Sequence, residues 1–318
     1  MKSPRIGVLR GGPSSEYNVS LASGGEVLTS FREQKQNPLD ILVSKDGEWY
    51  HNGVKILPGD LKNSVDVLIT TLRGTYGEDG KVQQILESLR IPYTGSGISV
   101  SALALQKVLA KEFARKLGLK TPRHIALAQY DYNSETAHEL FRKIFFPVVI
   151  KPLRGGSSIG ATFANTFEEL QSGIQEAFLY EPVIIIEEYI TGDEIITGII
   201  ENFRREKLYH LVPAYVPRGN LIYTKENKQG NLKLSLPAPL NLKMKELIKE
   251  DSKKVFSTLG LKHYATFDFV TTPRGLYFLE MNTTPPFIPG GALTESLVSV
   301  GSGREEFFNH LVDLALKR

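Results

Sequence analysis

Apolar and polar positions alternate along the chain with two periods, and their succession predicts strand, loop and helix in turn. An apolar run over Arg5–Val8 meets the loop Gly11–Glu16, after which Val19, Leu21, Ala22, Val27, Leu28 and Phe31 recur at helical spacing. Leu39–Val43 and Val65–Thr70 read as buried strands, the second opening into the loop Arg73–Gly80 and a helix through Leu89. Strands that alternate with helices imply a parallel sheet, whose ligands sit beyond the carboxyl ends of the strands. Both polar loops fall at such ends. Tyr93–Gly97 is turn-rich and marks a first boundary. Beyond it the pattern predicts a helix over Val100–Leu117, a strand at His124–Ala128, a helix near Ser134–Ile144 and a strand over Phe146–Lys151. A glycine-rich loop, Arg154–Gly160, leads to a helix from Thr166 and the strand Val183–Ile190, with a second boundary near Thr191–Gly192. The remainder predicts strands at Glu194–Ile200 and Leu208–Val216, a helix over Leu242–Leu259, strands at Tyr264–Val270 and Leu276–Met281, and a last helix over Glu305–Leu316. The fold class is therefore α/β, expected in three parts: 1–96, 97–191 and 192–318.

Composition narrows the function. At 318 residues the chain exceeds the roughly 250–300 at which a single core stops growing, which favours subdomains sharing a cleft. A net charge of +3, spread without a basic block, argues against electrostatic binding to nucleic acid or membrane. Absence of cysteine excludes disulfides, thiolate catalysis and Cys-ligated metal. The longest apolar run, Ile144–Ile150, is far short of the ~18–20 residues that span a bilayer. The first residues, MKSPRIGVLRGG, lack the apolar stretch and cleavage site of a signal peptide, so a cytoplasmic protein is expected. The six histidines show no metal-ligating spacing and read as surface or satisfied core.

Candidate chemistry concentrates in four places. In Thr266–Val270 and Tyr277–Asn282 side chains alternate faces, so Glu280 and Asn282 point the same way, and Asp268 lies opposite Glu280 if the hairpin centres on Arg274. Two carboxylates and an amide suit Mg²⁺, which takes a few protein oxygens and shares its other positions with water and phosphates. Read alone, a hairpin with one solvated face explains the same pattern. In the loop Arg154–Gly160, glycine N–H groups, Ser157, Ser158 and the preceding Lys151 could cradle phosphate, although such loops are usually only turns and this one is no Walker A motif. Glu187-Glu188-Tyr189-Ile190 ends an apolar strand whose exposed backbone could meet adenine, with Glu194 placed for ribose hydroxyls; a strand with a charged end is the plain alternative. Glu16, at a strand-to-helix turn, could bind a cationic amine. Lys107 reads by default as a surface lysine.

Together, and in this order, GGPSSEYNVS, GTYGEDG, PYTGSGISVSALALQK, FPVVIKPLRGGSSIG, IIIEEYITGDEI, and FDFV followed by LEMNTTP resemble the ATP-grasp superfamily and, within it, the D-alanine–D-alanine ligases. The resemblance covers essentially the whole chain. It implies three domains, the first a Rossmann-like unit with a parallel sheet, and ATP bound between the second and third. It casts Lys107 and Lys151 as phosphate ligands, Glu187–Ile190 as the adenine edge, Glu194 as the ribose contact, and Asp268, Glu280 and Asn282 as ligands for Mg²⁺, with Mn²⁺ as a substitute. Glu16, through Ser157, would hold the amine of the first D-alanine. An approximate alignment puts Lys228 on the family's loop lysine and Gln229 on its usual tyrosine. Two D-alanines would be joined through an acyl phosphate for peptidoglycan precursor synthesis, by an enzyme expected to form a homodimer.

The departures fall on the condensation half. Arg73 stands where the family usually has His, Thr266 where it commonly has the arginine of the oxyanion site, and Pro286 where a glycine N–H helps form that site. The Ser-Leu pair that would hold the second D-alanine falls at Gly291-Ala292. Proline has no N–H to give, and one oxyanion donor is typically worth about 10²–10³ in rate. A weakened or altered second-substrate step is therefore expected. Two further readings are a ligase for another acceptor amino acid or amine, and a nucleotide-binding protein that has lost ligation.

Overall fold

Three sheets follow one another along the chain in the computed structural model, which describes residues 3–217 and 234–318. The first contains β1 (Ile6–Gly11), β2 (Leu39–Val43), β3 (Trp49–His51), β4 (Val54–Ile56) and β5 (Val67–Thr70), in the order β4-β3-β2-β1-β5. β1 runs parallel between β2 and β5, and all of β5 and all of β1 except Arg10 are buried, as expected where both faces of a parallel sheet are covered. The short hairpin β3–β4, absent from the sequence prediction, adds an antiparallel edge. Gly11 and Thr70 end neighbouring parallel strands, so the two polar loops that follow them emerge side by side.

The second sheet contains β6 (His124–Ala128), β7 (Val148–Pro152), β8 (Thr162–Ala164) and β9 (Val183–Glu188), antiparallel in the order β6-β9-β7-β8. Its apolar face is covered by the helix Phe167–Phe178, which starts where expected because Thr166 and Glu169 form a capping box. In the third sheet, β10 (Asp193–Phe203) pairs with β11 (Glu206–His210), β12 (Ala214–Val216) and β13 (Tyr264–Thr272), and β13 pairs with β14 (Gly275–Asn282).

Two predicted elements are divided. The helix expected over Val100–Leu117 is two helices, Ile98–Leu105 and Lys107–Lys116, because Gln106 leaves helical geometry and its side chain caps Leu109 N–H. The strand expected over Leu208–Val216 is β11 and β12, which meet different stretches of β10 on either side of Leu211–Pro213. Proline lacks the N–H that a continuous ladder would need there. The helix Ala292–Ser299 has no counterpart in the prediction.

Long-range packing joins the parts. Ala104, Ala110 and Ala114 share a core with Phe267, Phe269 and Phe278 of the third sheet. The last helix, Arg304–Leu316, brings Phe307, Phe308 and Leu311 onto Ile6, Val8 and Val67 of the first. No helix among the described residues is long and apolar enough to cross a membrane.

Two of the histidines lie in this packing. Thr197 Oγ1 and His210 Nε2 are 2.9 Å apart, and His263 Nδ1 accepts from Gly95 N–H at 3.1 Å. Burial pushes His210 down to about 4 and His263 down to about 3, from an ordinary value of 6.5. The unfolded chain therefore binds protons that the folded chain refuses. Their contribution to stability is fully present above pH 6.5 and is lost as pH falls toward the folded values. Urea unfolding at pH 7.5 and pH 5 is expected to show this loss, and replacing both histidines by glutamine should flatten the difference. An equally steep pH dependence in the double variant would assign it to other groups.

Candidate active site

The carboxylates meet through an irregularity in the third sheet. Near the turn, β13 and β14 pair Thr272 with Gly275 and Phe269 with Phe278, a register that would set Asp268 against Leu279. A shift between Asp268 and Phe269 instead sets Asp268 opposite Glu280 and Thr266 opposite Asn282. Leu279 is thus the extra residue of a β-bulge, the device by which strands re-aim side chains at functional sites. The expected facing of Asp268 and Glu280 holds, although the turn centres on Pro273-Arg274 and the bulge makes up the difference. Two opposed carboxylates with an amide one step along the face form an oxygen-only set that fits a hard divalent cation.

Asp268 and Glu280 line one cavity with Lys107, Lys151, Glu187–Ile190, Glu194 and, from the glycine-rich loop, Arg154–Gly156, Ser158 and Ile159. Lys107 corrects the default reading: it is buried, at 6% exposure, and its Nζ donates to Gly155 O at 2.5 Å. Burial lowers its pKa, as does the neighbouring Lys151, against the pull of Glu280. Lys151, on β7, contacts Glu187 Oε2 at 2.8 Å; burial would lower its pKa too, but Glu187, Glu280 and Glu194 together raise it. Both ammonium groups lie within electrostatic reach of Glu280, an arrangement suited to a polyphosphate held between cations. Lys151→Met is expected to raise the dissociation constant for ATP by at least about tenfold, or ~1.4 kcal/mol, measured by calorimetry with a non-hydrolysable analogue. An unchanged constant would leave the glycine-rich loop a structural turn.

That loop is held in a rarely populated geometry, with Ser157 and Ser158 both at φ 55°. Such left-handed residues persist where surrounding contacts determine them. Here Ser157 Oγ donates to Glu16 Oε1 at 2.6 Å, and Gly156 passes so close that a Cβ on it would lie 3.2 Å from the same carboxylate oxygen. Glu16 itself is buried at the N-terminal end of the helix Tyr17–Glu33. Arg73 reaches it with Nε at 3.0 Å and Nη2 at 2.9 Å, and Arg73 Nη1 also donates to Thr284 O. Glu78 completes the interlock: it accepts from Gly74 N–H at 2.9 Å, Thr284 N–H at 2.9 Å and Thr283 Oγ1 at 3.1 Å. Burial pushes Glu78 upward, and Arg73 only partly opposes this.

At the expected adenine edge, Glu187 turns its carboxylate inward. Lys111 Nζ lies 2.6 Å from Oε1 while Lys151 holds Oε2. Burial alone would raise Glu187, but the two lysines pull it down to about 2. The next two N–H groups are engaged, Glu188 with Arg123 O and Tyr189 with Pro147 O. Glu188 lies beside Arg274 at 3.9 Å, and the Tyr189 ring packs edge-on against Phe163. Glu194 stands on β10 opposite Val216 and Val270. Asn282 is placed by its pairing with Thr266 and is not among the residues lining the cavity. Pro286 precedes Phe287, whose N–H donates to Ser23 Oγ at 3.1 Å, and Gly291 caps the helix Ala292–Ser299. Lys228 and Gln229 lie outside the described residues.

Three participants escape the sequence pattern. Arg73 is legible only as a departure and Glu78 only as part of GTYGEDG. Lys111 is signalled by nothing more than its place one helical turn after Lys107.

Comparison with known proteins agrees with this assembly. The family model described as D-ala D-ala ligase C-terminus matches residues 113–313, and that described as D-ala D-ala ligase N-terminus matches residues 54–96. A D-alanine--D-alanine ligase of Halalkalibacterium halodurans is 33% identical over 99% of this chain and 100% of its own. Among solved structures, the D-alanine--D-alanine ligase from Bacillus anthracis complexed with ATP matches with TM-score 0.79 at 26% identity, over 99% of this chain and 98% of its own. The VanG D-Ala:D-Ser ligase from Enterococcus faecalis matches with TM-score 0.83 at 26% identity, over 99% of this chain and 100% of its own. With both halves of the family matched in order and the ATP-grasp fold shared along the whole length, the chain belongs to the D-alanine–D-alanine ligase family.

Proposed function

We propose that the protein joins two D-alanines at the expense of ATP, releasing ADP and phosphate, to supply a precursor of peptidoglycan. The observation that carries this is the bulged pairing of Asp268 with Glu280 in the same cavity as Lys107 and Lys151. In this reading Glu187–Ile190 and Glu194 take the adenosine, and Lys107 and Lys151 take the phosphates. Asp268, Glu280 and Asn282 would hold Mg²⁺, or Mn²⁺ in its place, which supplies charge neutralisation on the transferring phosphoryl group. Glu16, fixed by Ser157 and Arg73, orients the amine of the first D-alanine; Lys228 completes the catalytic set. The carboxylate of the first D-alanine attacks the γ-phosphorus, and the bond to the β-phosphate oxygen breaks. The amine of the second then attacks the acyl carbon, the phosphate leaves, and the amine gives up its proton. No protein nucleophile is needed, so positioning and electrostatics carry the rate.

The division into an N-terminal unit 1–96, a central ATP-grasp unit 97–191 and a C-terminal unit 192–318 carrying the metal site belongs to the same proposal. So do a cytoplasmic site of action and a homodimer, the latter checked by light scattering. ATP consumption with each D-amino acid, with mass spectrometry of the product, tests the function directly. D-alanyl-D-alanine is the expected product, and absence of any D-alanine-dependent ATP consumption would defeat the reading. An acceptor other than D-alanine, or a chain without ligation, is less well supported.

The condensation half bears separate measurement. Thr266 and Pro286 remove two donors from the oxyanion side, so Thr266→Arg with Pro286→Gly is expected to raise dipeptide formation by about tenfold, within the worth of one such donor. Fast wild-type synthesis with no gain in the double variant would show that Arg73 or Lys228 already supplies the charge.

A further inference from the structure

We infer that Lys111 is a positioning residue that ties the nucleotide edge to the metal strand, an inference that rests on the nucleotide reading above. Its side chain is at 0% exposure, unusual for an ammonium group and costly unless its partners are well placed. Those partners belong to two different sheets. On one side Nζ meets Glu187 Oε1 of β9 at 2.6 Å; on the other it donates to Leu279 O of β14 at 2.7 Å.

Leu279 is the extra residue of the bulge, and such a residue is left unpaired by the strand ladder. The part-buried carbonyl left over there takes a donor from within the protein, and Lys111 provides it. Holding this carbonyl stabilises the shifted register, and only the shifted register sets Asp268 against Glu280. The second contact works on Lys151. Glu187 is shared between two ammonium groups, one on each oxygen, so the trio retains one positive charge. Without Lys111, the Glu187 carboxylate would be matched by Lys151 alone, and an incoming phosphate would have to compete for that lysine. One side chain thereby serves the alignment of the metal ligands and the availability of a phosphate ligand.

The test uses the intact chain and a non-hydrolysable ATP analogue, followed by calorimetry and by thermal shift across a Mg²⁺ titration. Lys111→Met is expected to raise the analogue's dissociation constant at least about tenfold and to raise the Mg²⁺ concentration at half-maximal thermal shift severalfold. Lys111→Gln keeps a donor for Leu279 but not the charge, so it should recover the Mg²⁺ midpoint and not the affinity. Loss of fold would move both readings together and would not give this recovery. Wild-type affinity and midpoint in both single variants would overturn the inference and leave the nucleotide reading standing. If Lys111→Met does not fold, unchanged affinity in Lys111→Gln is sufficient to overturn it. A wild-type protein without any Mg²⁺-dependent shift would remove the nucleotide reading and this inference together.

Discussion

Glu280→Ala is expected to reduce D-alanine-dependent ATP turnover by about 10³-fold or more, the upper range for deleting a group that stabilises charge in the transition state. Glu280 is one of two carboxylates set face to face by the bulge, and Asp268 alone cannot reproduce a site with two anionic oxygen donors. It also stands within electrostatic reach of Lys107 and Lys151, where it opposes the effect of burial on each, so its loss unbalances the phosphate side as well. The variant should lose most of the Mg²⁺-dependent thermal stabilisation by ATP analogue, because a ligand stabilises only the state that binds it. Melting without nucleotide should change little, since Glu280 is only partly buried. Phosphate release measured across a Mg²⁺ titration provides the check. Turnover within threefold of wild type would remove Glu280 from the metal site.

The second large effect is expected at Arg73. This guanidinium is 4% exposed, contacts Glu16 through two nitrogens and reaches Thr284 O, so it joins the loops of the first sheet to the turn after β14. Removing one partner of a buried pair typically costs about 3–5 kcal/mol, because the other is left buried without its counter-charge. Arg73→Met should therefore lower the melting temperature and, by leaving Glu16 without its counter-charge, raise the KM for D-alanine by about 10²-fold, or ~2.8 kcal/mol. ATP affinity without D-alanine should be little changed, since Arg73 does not line the nucleotide cavity. Arg73→Lys should restore only part of the loss, because a single ammonium lacks the planar fork that meets Glu16 and Thr284 at once. Steady-state kinetics varying D-alanine, beside calorimetry with ATP analogue, separates the two substrates. An unchanged KM for D-alanine would mean that Arg73 only braces the fold.

How far these residues could be read in advance follows from the range of the forces that place them. The strands β2, β6 and β9 and the helices Tyr17–Glu33 and Phe167–Phe178 are written within a few residues, by apolar period and, at Thr166, by a cap. Glu280 and Asn282 share a face for the same local reason. Gln106, by contrast, interrupts a run whose apolar spacing continues across it, and Leu279 enters a strand whose alternation gives no sign of an extra residue. In both cases hydrogen bonds outside the periodic pattern decide: a side-chain cap at Gln106, and a lysine from another element at Leu279.

The same division separates the roles of the charged residues. Motif order, by itself, determined the α/β fold and membership of this ligase family, and strand alternation put Glu280 and Asn282 on one face. Tertiary structure alone decided that Lys107 and Lys111 lie inside, that Glu187 is shared between two lysines, and that Arg73 closes onto Glu16 and Thr284. Those contacts span 57 residues from Arg73 to Glu16, 141 from Ser157 to Glu16 and 168 from Lys111 to Leu279. A charged side chain is tolerated in the interior only when its counter-charge arrives there too, and that counter-charge comes from a distant segment which no local period can specify.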